Sequence, residues 1–189
     1  MRRREYLLRS LVATCVVVFL SLLLRHYIVH VAHPQLVRAI EAGDSERVIT
    51  LLQRGADPDE GGLAYRPLVS AAERNQVVNV QALLAYGADP DARVPDNMHT
   101  ALETAAKYGH QEVVEVLLAS GARPEGLYGP LHLAADVGSS AVVGTLLDDG
   151  ADPTALDSMG RQPWERAMGA GHTALASRLL RAAGQWHGY

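Results

Sequence analysis

One four-residue string governs what this chain can fold into. Gly-Ala-Asp-Pro occurs at Gly55–Pro58, Gly87–Pro90 and Gly150–Pro153, with the variant Gly-Ala-Arg-Pro at Gly121–Pro124. Successive copies begin 32, 34 and 29 residues apart. A leucine pair precedes each copy: Leu51-Leu52, Leu83-Leu84, Leu117-Leu118 and Leu146-Leu147. A fifth pair, Leu179-Leu180, precedes Gly184. About fifteen residues upstream of four of these pairs stands a second landmark: Pro67-Leu68, Ala101-Leu102, Pro130-Leu131-His132 or Pro163-Trp164. Small residues follow it, namely Ala71-Ala72, Ala105-Ala106 and Ala134-Ala135, with Ala167-Met168 in the last copy. Self-similarity at this period marks an array of short supersecondary units.

Each landmark has a physical reason. Pro in a first helical turn costs no hydrogen bond and presets the backbone angle. An Ala pair lets two helices approach closely. A glycine midway, at Gly43, Gly109, Gly138 and Gly171, ends a first helix where a left-handed residue is needed. Val113, Val114, Val116, Leu117 and Leu118 then give the apolar spacing of a second helix. Gly after the leucines stops that helix, and Pro keeps it from restarting. A unit of this kind cannot bury its own apolar face, so neighbours must stack.

This pattern closely resembles the ankyrin repeat. Residues 129–138 read Gly-Pro-Leu-His-Leu-Ala-Ala-Asp-Val-Gly, against the family's Thr-Pro-Leu-His-x-Ala-Ala-x-x-Gly, with Gly129 in place of Thr. The resemblance runs from about Pro34 to Gly184, and it implies an all-α solenoid of five helix-turn-helix units at about 34–60, 61–93, 94–125, 126–155 and 156–184. The first unit lacks a full leading finger and reads as a cap. The last, with Trp164 where Leu is usual, reads as the other cap, and 185–189 form a tail. The shortened fourth finger should distort the row of fingers. The resemblance further implies a protein-binding function, with framework histidines at His110, His132 and His172.

Ahead of the repeats lies an apolar segment. Residues 1–9 form a basic tail with Arg2, Arg3, Arg4 and Arg9, and Ser10 to Leu24 is uncharged. Fifteen helical residues span roughly 22 Å, short of a hydrocarbon core of about 30 Å. Snorkelling by Arg9 and Arg25, with Tyr6 and Tyr27 at the interfaces, extends the reach. Residues 10–32 are therefore expected to form a signal-anchor transmembrane helix. A cleaved signal peptide fits less well, because cutting after Ala32 places His30 at the −3 position. A lipoprotein reading at Cys15 fails, since the apolar run continues past it. The arginine cluster should stay in the cytoplasm, which puts the repeats (33–184) in the periplasm on the bacterial inner membrane. His26, His30 and His33 share a helical face, and we read them as interfacial polar residues rather than metal ligands.

Charge narrows the partner. Residues 1–32 carry a net +4 and residues 33–189 a net −8. An acidic body argues against nucleic-acid binding, which needs a basic surface, and favours a basic protein partner. With one cysteine, and without H-E-x-x-H, G-x-S-x-G or a phosphate-binding glycine loop, nothing points to an enzyme, a metal, a cofactor or a small-molecule substrate. The acid pairs Asp57/Asp59, Asp89/Asp91 and Asp148/Asp149 lack calcium-loop spacing and read as turn chemistry.

The informative positions are those that the repeat does not prescribe. Just before each Pro-Leu landmark the finger residue is Tyr65, His99, Tyr128 or Arg161. Two residues after the Ala pair stand Arg74 and Tyr108, with Val137 and Ala170 in the equivalent slots. Tyr and Arg are residue types that anchor interfaces. Tyr65, Arg74, His99, Tyr108, Tyr128 and Arg161 are thus the expected protein-binding residues. The reading is a non-catalytic interaction module tethered to the membrane. An immunity-type protein that neutralises an envelope-acting toxin is one alternative, and a secreted effector with a cleaved leader is another.

Overall fold

The computed structural model describes residues 33–59, 66–93, 99–125 and 129–184. Among them are ten helices and no strand. They run α1 (His33–Ala42), α2 (Ser45–Gln53), α3 (Pro67–Glu73), α4 (Val77–Ala85), α5 (Ala101–Tyr108), α6 (Gln111–Ala119), α7 (Pro130–Asp136), α8 (Ser140–Asp148), α9 (Pro163–Gly169) and α10 (Thr173–Ala182). No described helix is long and apolar enough to cross a membrane. The transmembrane helix expected over 10–32 lies outside the described residues, as do the C-terminal tail and the finger positions Tyr65 and Tyr128.

The helices form five antiparallel pairs in two layers. First helices pack in the order α1, α3, α5, α7, α9, and second helices in the order α2, α4, α6, α8; α10 rests on α9. Pro67, Pro130 and Pro163 open α3, α7 and α9. Where Pro is absent, Thr100 opens α5 with a side-chain cap instead: its hydroxyl accepts from Glu103 N at 3.1 Å. The left-handed slot between paired helices holds Gly109 at φ 73°, and Asn75 takes the same slot in the second repeat at φ 55°. Asn tolerates that backbone better than other side chains do, which explains a repeat without the midway glycine.

Small residues set the spacing of the inner layer. Ala71, Ala72, Ala105, Ala106, Ala134 and Ala135 are fully buried. Leu83, Leu117, Leu146 and Leu179 fill the space between layers. Each such leucine contributes roughly 1.5–3 kcal/mol through burial.

Polar bridges register one repeat on the next at two heights. At the turn end, Gln76 Nε2 donates to Ile40 O at 2.7 Å, and His110 Nε2 donates to Glu73 O at 3.1 Å. At the finger end the paired aspartates divide the work. Asp57 and Asp89 each accept the amide of the residue two further on, at 2.9 and 3.0 Å. Asp59 accepts Asp89 N from the following repeat at 3.0 Å, and Asp91 accepts Arg123 N at 3.1 Å and Arg123 Nε at 2.6 Å. The pairs Asp57/Asp59 and Asp89/Asp91 are turn chemistry, as their spacing suggests, and the second acid of each is also a staple. Among the described residues no such bond joins Glu125 to the finger at Asp152, where the spacing drops to 29 residues.

Candidate functional site

The first-helix side presents its variable residues at the helix C-termini. Glu73, Arg74, Lys107, Tyr108, Asp136, Val137, Gly169 and Ala170 are all exposed. Helix geometry places them there: the preceding alanines turn inward, and the next two positions turn outward before the left-handed residue reverses the chain.

Tyr108 is the best-defined of the expected binding residues. Nearly half of it is exposed. Its hydroxyl donates to Glu73 Oε1 at 3.1 Å, and its ring stacks on His110 with centroids 5.9 Å apart. Lys107 Nζ lies 5.7 Å from the ring centre, in cation–π range. The hydrogen bond to the Glu73 carboxylate, reinforced by its charge, pushes the phenol above its ordinary value. Tyr108 is thus a neutral, half-exposed aromatic whose ring is held in place by Glu73 and His110. Arg74 stands one residue past Glu73; its Nη1 donates to Ser70 Oγ at 2.6 Å and lies 3.8 Å from Glu73 Oε2.

Two expected finger residues have an intramolecular task. His99 lies close to Glu103, with Nδ1 3.6 Å from Oε2, and is only 14% exposed. Arg161 lies with its guanidinium 3.2 Å from Asp157 Oδ2. Asp157 also accepts Met159 N and Arg161 N at 2.8 and 2.9 Å and stands 3.6 Å from Arg166 Nε. Burial raises the Asp157 carboxyl, but these amides and guanidiniums outweigh it and hold the group below its ordinary value.

The finger of the fifth repeat adds two residues the sequence reading missed. Leu156 is 64% exposed and Met159 74% exposed, on either side of Asp157. The Asp157 ring of hydrogen bonds fixes the loop, and the apolar side chains project from it. Two apolar residues in a polar finger were the available signal.

His132 shows why Gly129 departs from the repeat pattern. Its Nε2 lies 3.1 Å from Ala155 O and 3.0 Å from Arg161 O, so this nitrogen carries the proton and ties α7 to the following finger. Among the described residues the buried Nδ1 has no hydrogen-bond partner. At position 129 φ is 55°, and a Cβ would come within 2.5 Å of Nδ1. A threonine does not fit that backbone.

Burial lowers the pKa of His132 below its ordinary 6.5, against the help of two carbonyls. Burial likewise lowers His99, against the pull of Glu103. The unfolded chain therefore binds more protons than the folded one once pH falls below 6.5, and stability drops from there down through the folded values. The Asp157 contribution disappears only at still lower pH, below 3.8. A melt series from pH 7.5 to 5 should show a falling midpoint, and His132→Gln should flatten part of the slope. A midpoint that does not change over this range would contradict the assignment.

Comparison with known families agrees with the geometry. A family model for ankyrin repeats, in three copies, matches residues 36–126, and a single ankyrin repeat matches residues 128–158. The chain belongs to the ankyrin-repeat family. α9 and α10 add a further pair of the same form beyond the matched residues. Ankyrin repeats mark a protein–protein interaction module, and proteins built from them are generally non-catalytic. No curated protein matches the chain.

Proposed function

We propose that the chain is a membrane-tethered adaptor that holds another protein against the first-helix face of its repeats. Residues 10–32 supply the anchor, and the repeats face the periplasm. The observation that carries the binding reading is Tyr108: a half-exposed aromatic, fixed by Glu73 and His110, in a slot that the ankyrin framework leaves free. Rigid, partly exposed aromatics lose little entropy on binding and dominate interface energetics. Val137 continues the row into the next repeat. The net −8 of residues 33–189 favours a basic partner surface.

Affinity purification from crosslinked envelopes tests the reading. The variant Tyr65→Ala, Tyr108→Ala, Tyr128→Ala should lose the partner that the parent recovers, with its melting curve nearly unchanged. Truncating a buried interface Tyr often costs about 2 kcal/mol, so three should weaken binding at least ~30-fold. Recovery of the same partner at parental affinity sinks the first-helix face. A reporter active only outside the cytoplasm, fused after Tyr189, should work; activity of a cytoplasm-only reporter there sinks the topology.

A further inference from the structure

The outer helices offer a second surface, separate from the first-helix face. α4 reads Val-Val-Asn-Val-Gln-Ala-Leu-Leu-Ala and has no charged residue. The two outer helices that flank it direct charge at solvent: Glu46 and Arg47 on α2, Glu112 and Glu115 on α6. Where α6 has Glu112, α4 has Val78, which is 52% exposed. A surface helix normally carries a polar outer stripe; on α4 that stripe is Val78, Gln81 and Ala85, with Gln81 its one polar residue. Beside it lies a groove of about 310 Å³, lined by Gln81, Leu84, Ala85, Ala88 and Pro90 on one wall and Val116 and Ser120 on the other.

Negative charge brackets this groove. Glu112, Val116 and Ser120 are spaced four apart and share one stripe of α6; Glu112 is exposed at one end. At the other end Asp89 is exposed between the lining residues Ala88 and Pro90. The turns there hold four carboxylates, Asp57, Asp59, Asp89 and Asp91; Asp91 is paired with Arg123, and among the described residues Asp89 has no ion pair. From Glu112 to Ser120 α6 rises about 12 Å. An extended chain covers that distance in about four residues.

We infer that the groove between α4 and α6 takes a short extended segment of another protein, with one or two aliphatic side chains in the groove. A Lys or Arg on each side, about four residues apart, faces Glu112 and Asp89. The apolar walls supply affinity, and the bracketing carboxylates set the sign of the ligand.

The probe is a capped, fluorescein-labelled pentapeptide with a lysine at each end and leucines between. Its control replaces both lysines by glutamates. Anisotropy is read with the full-length chain in a non-ionic detergent. The lysine peptide should bind at least about tenfold more tightly than the control, and added salt should weaken it. Glu112→Lys should weaken binding about fivefold or more by reversing one bracket, and Ala85→Phe should abolish it by filling the groove. Tyr108→Ala should leave it unchanged, which separates this groove from the first-helix face. Equal binding of the two peptides, no binding of either, or lysine-peptide binding that ignores both groove variants overturns the proposal. So does self-association of the free chain that Ala85→Phe removes, since the groove would then belong to a second copy.

Discussion

Glu103→Ala should lower the stability of the repeat stack by about 3 kcal/mol. Glu103 is 1% exposed at the third position of α5. One carboxylate there does three things. It accepts Thr100 N at 2.9 Å, stands 3.7 Å from Arg93 Nη1, and stands 3.6 Å from His99 Nδ1. Arg93 precedes the finger of the third repeat and His99 follows it, so Glu103 grips both stems of that loop. Alanine would leave the Thr100 amide buried without its acceptor, a penalty of roughly 1–3 kcal/mol. Loss of the Arg93 ion pair adds less, because Arg93 is 35% exposed and water screens it. Alanine's better helix propensity returns only a few tenths of a kcal/mol. The melting midpoint should drop on the order of 10 °C. Glu103→Gln keeps an acceptor for Thr100 and should lose about half as much. An Ala variant that melts with the parent would show that the carboxylate is dispensable.

Ala134→Leu should cost about 1–3 kcal/mol by overpacking. Ala134 is fully exposure-free and sits on α7, which packs between α5 and α9. Three added carbons have no space unless one helix moves away. In a solenoid, stability is a sum of unit and nearest-neighbour terms, so the damage should be local. Hydrogen exchange should speed up first in the third to fifth repeats and leave α1 and α2 protected. Uniform loss of protection along the whole chain would contradict the nearest-neighbour picture.

The repeats were legible because their landmarks depend on local backbone chemistry. Pro67, Pro130 and Pro163 mark helix starts, and Gly109 marks a left-handed turn, whatever lies around them. The Ala pairs were legible for a related reason: only close packing explains two small residues at a fixed phase. What escaped depends on partners that the repeat pattern does not name. Asp59 reads as a turn former until Asp89 N is found on it, and Arg161 reads as a binder until Asp157 is found beside it. Glu103 occupies the place that His132 fills in the next repeat, and nothing local announces that its charge is buried. The α4 groove was invisible for the opposite reason: an apolar helix in sequence looks like a buried one. Of the expected binding residues, Tyr108 is nearly half exposed, and Glu73 and His110 hold its ring in place.

The finger staples have a mechanical consequence. Asp59 and Asp91 fasten the edges of the first three repeats to one another, and among the described residues that fastening stops at Glu125. Beyond it, among the described residues, helix packing alone joins α5 and α6 to α7 and α8. The stack should therefore behave as two stiff blocks with a hinge between the third and fourth repeats, pivoting about the helix contacts while the loop edge opens and closes. A partner seated across that joint would feel a jaw whose width adjusts at a single place, while the blocks on either side keep their shape.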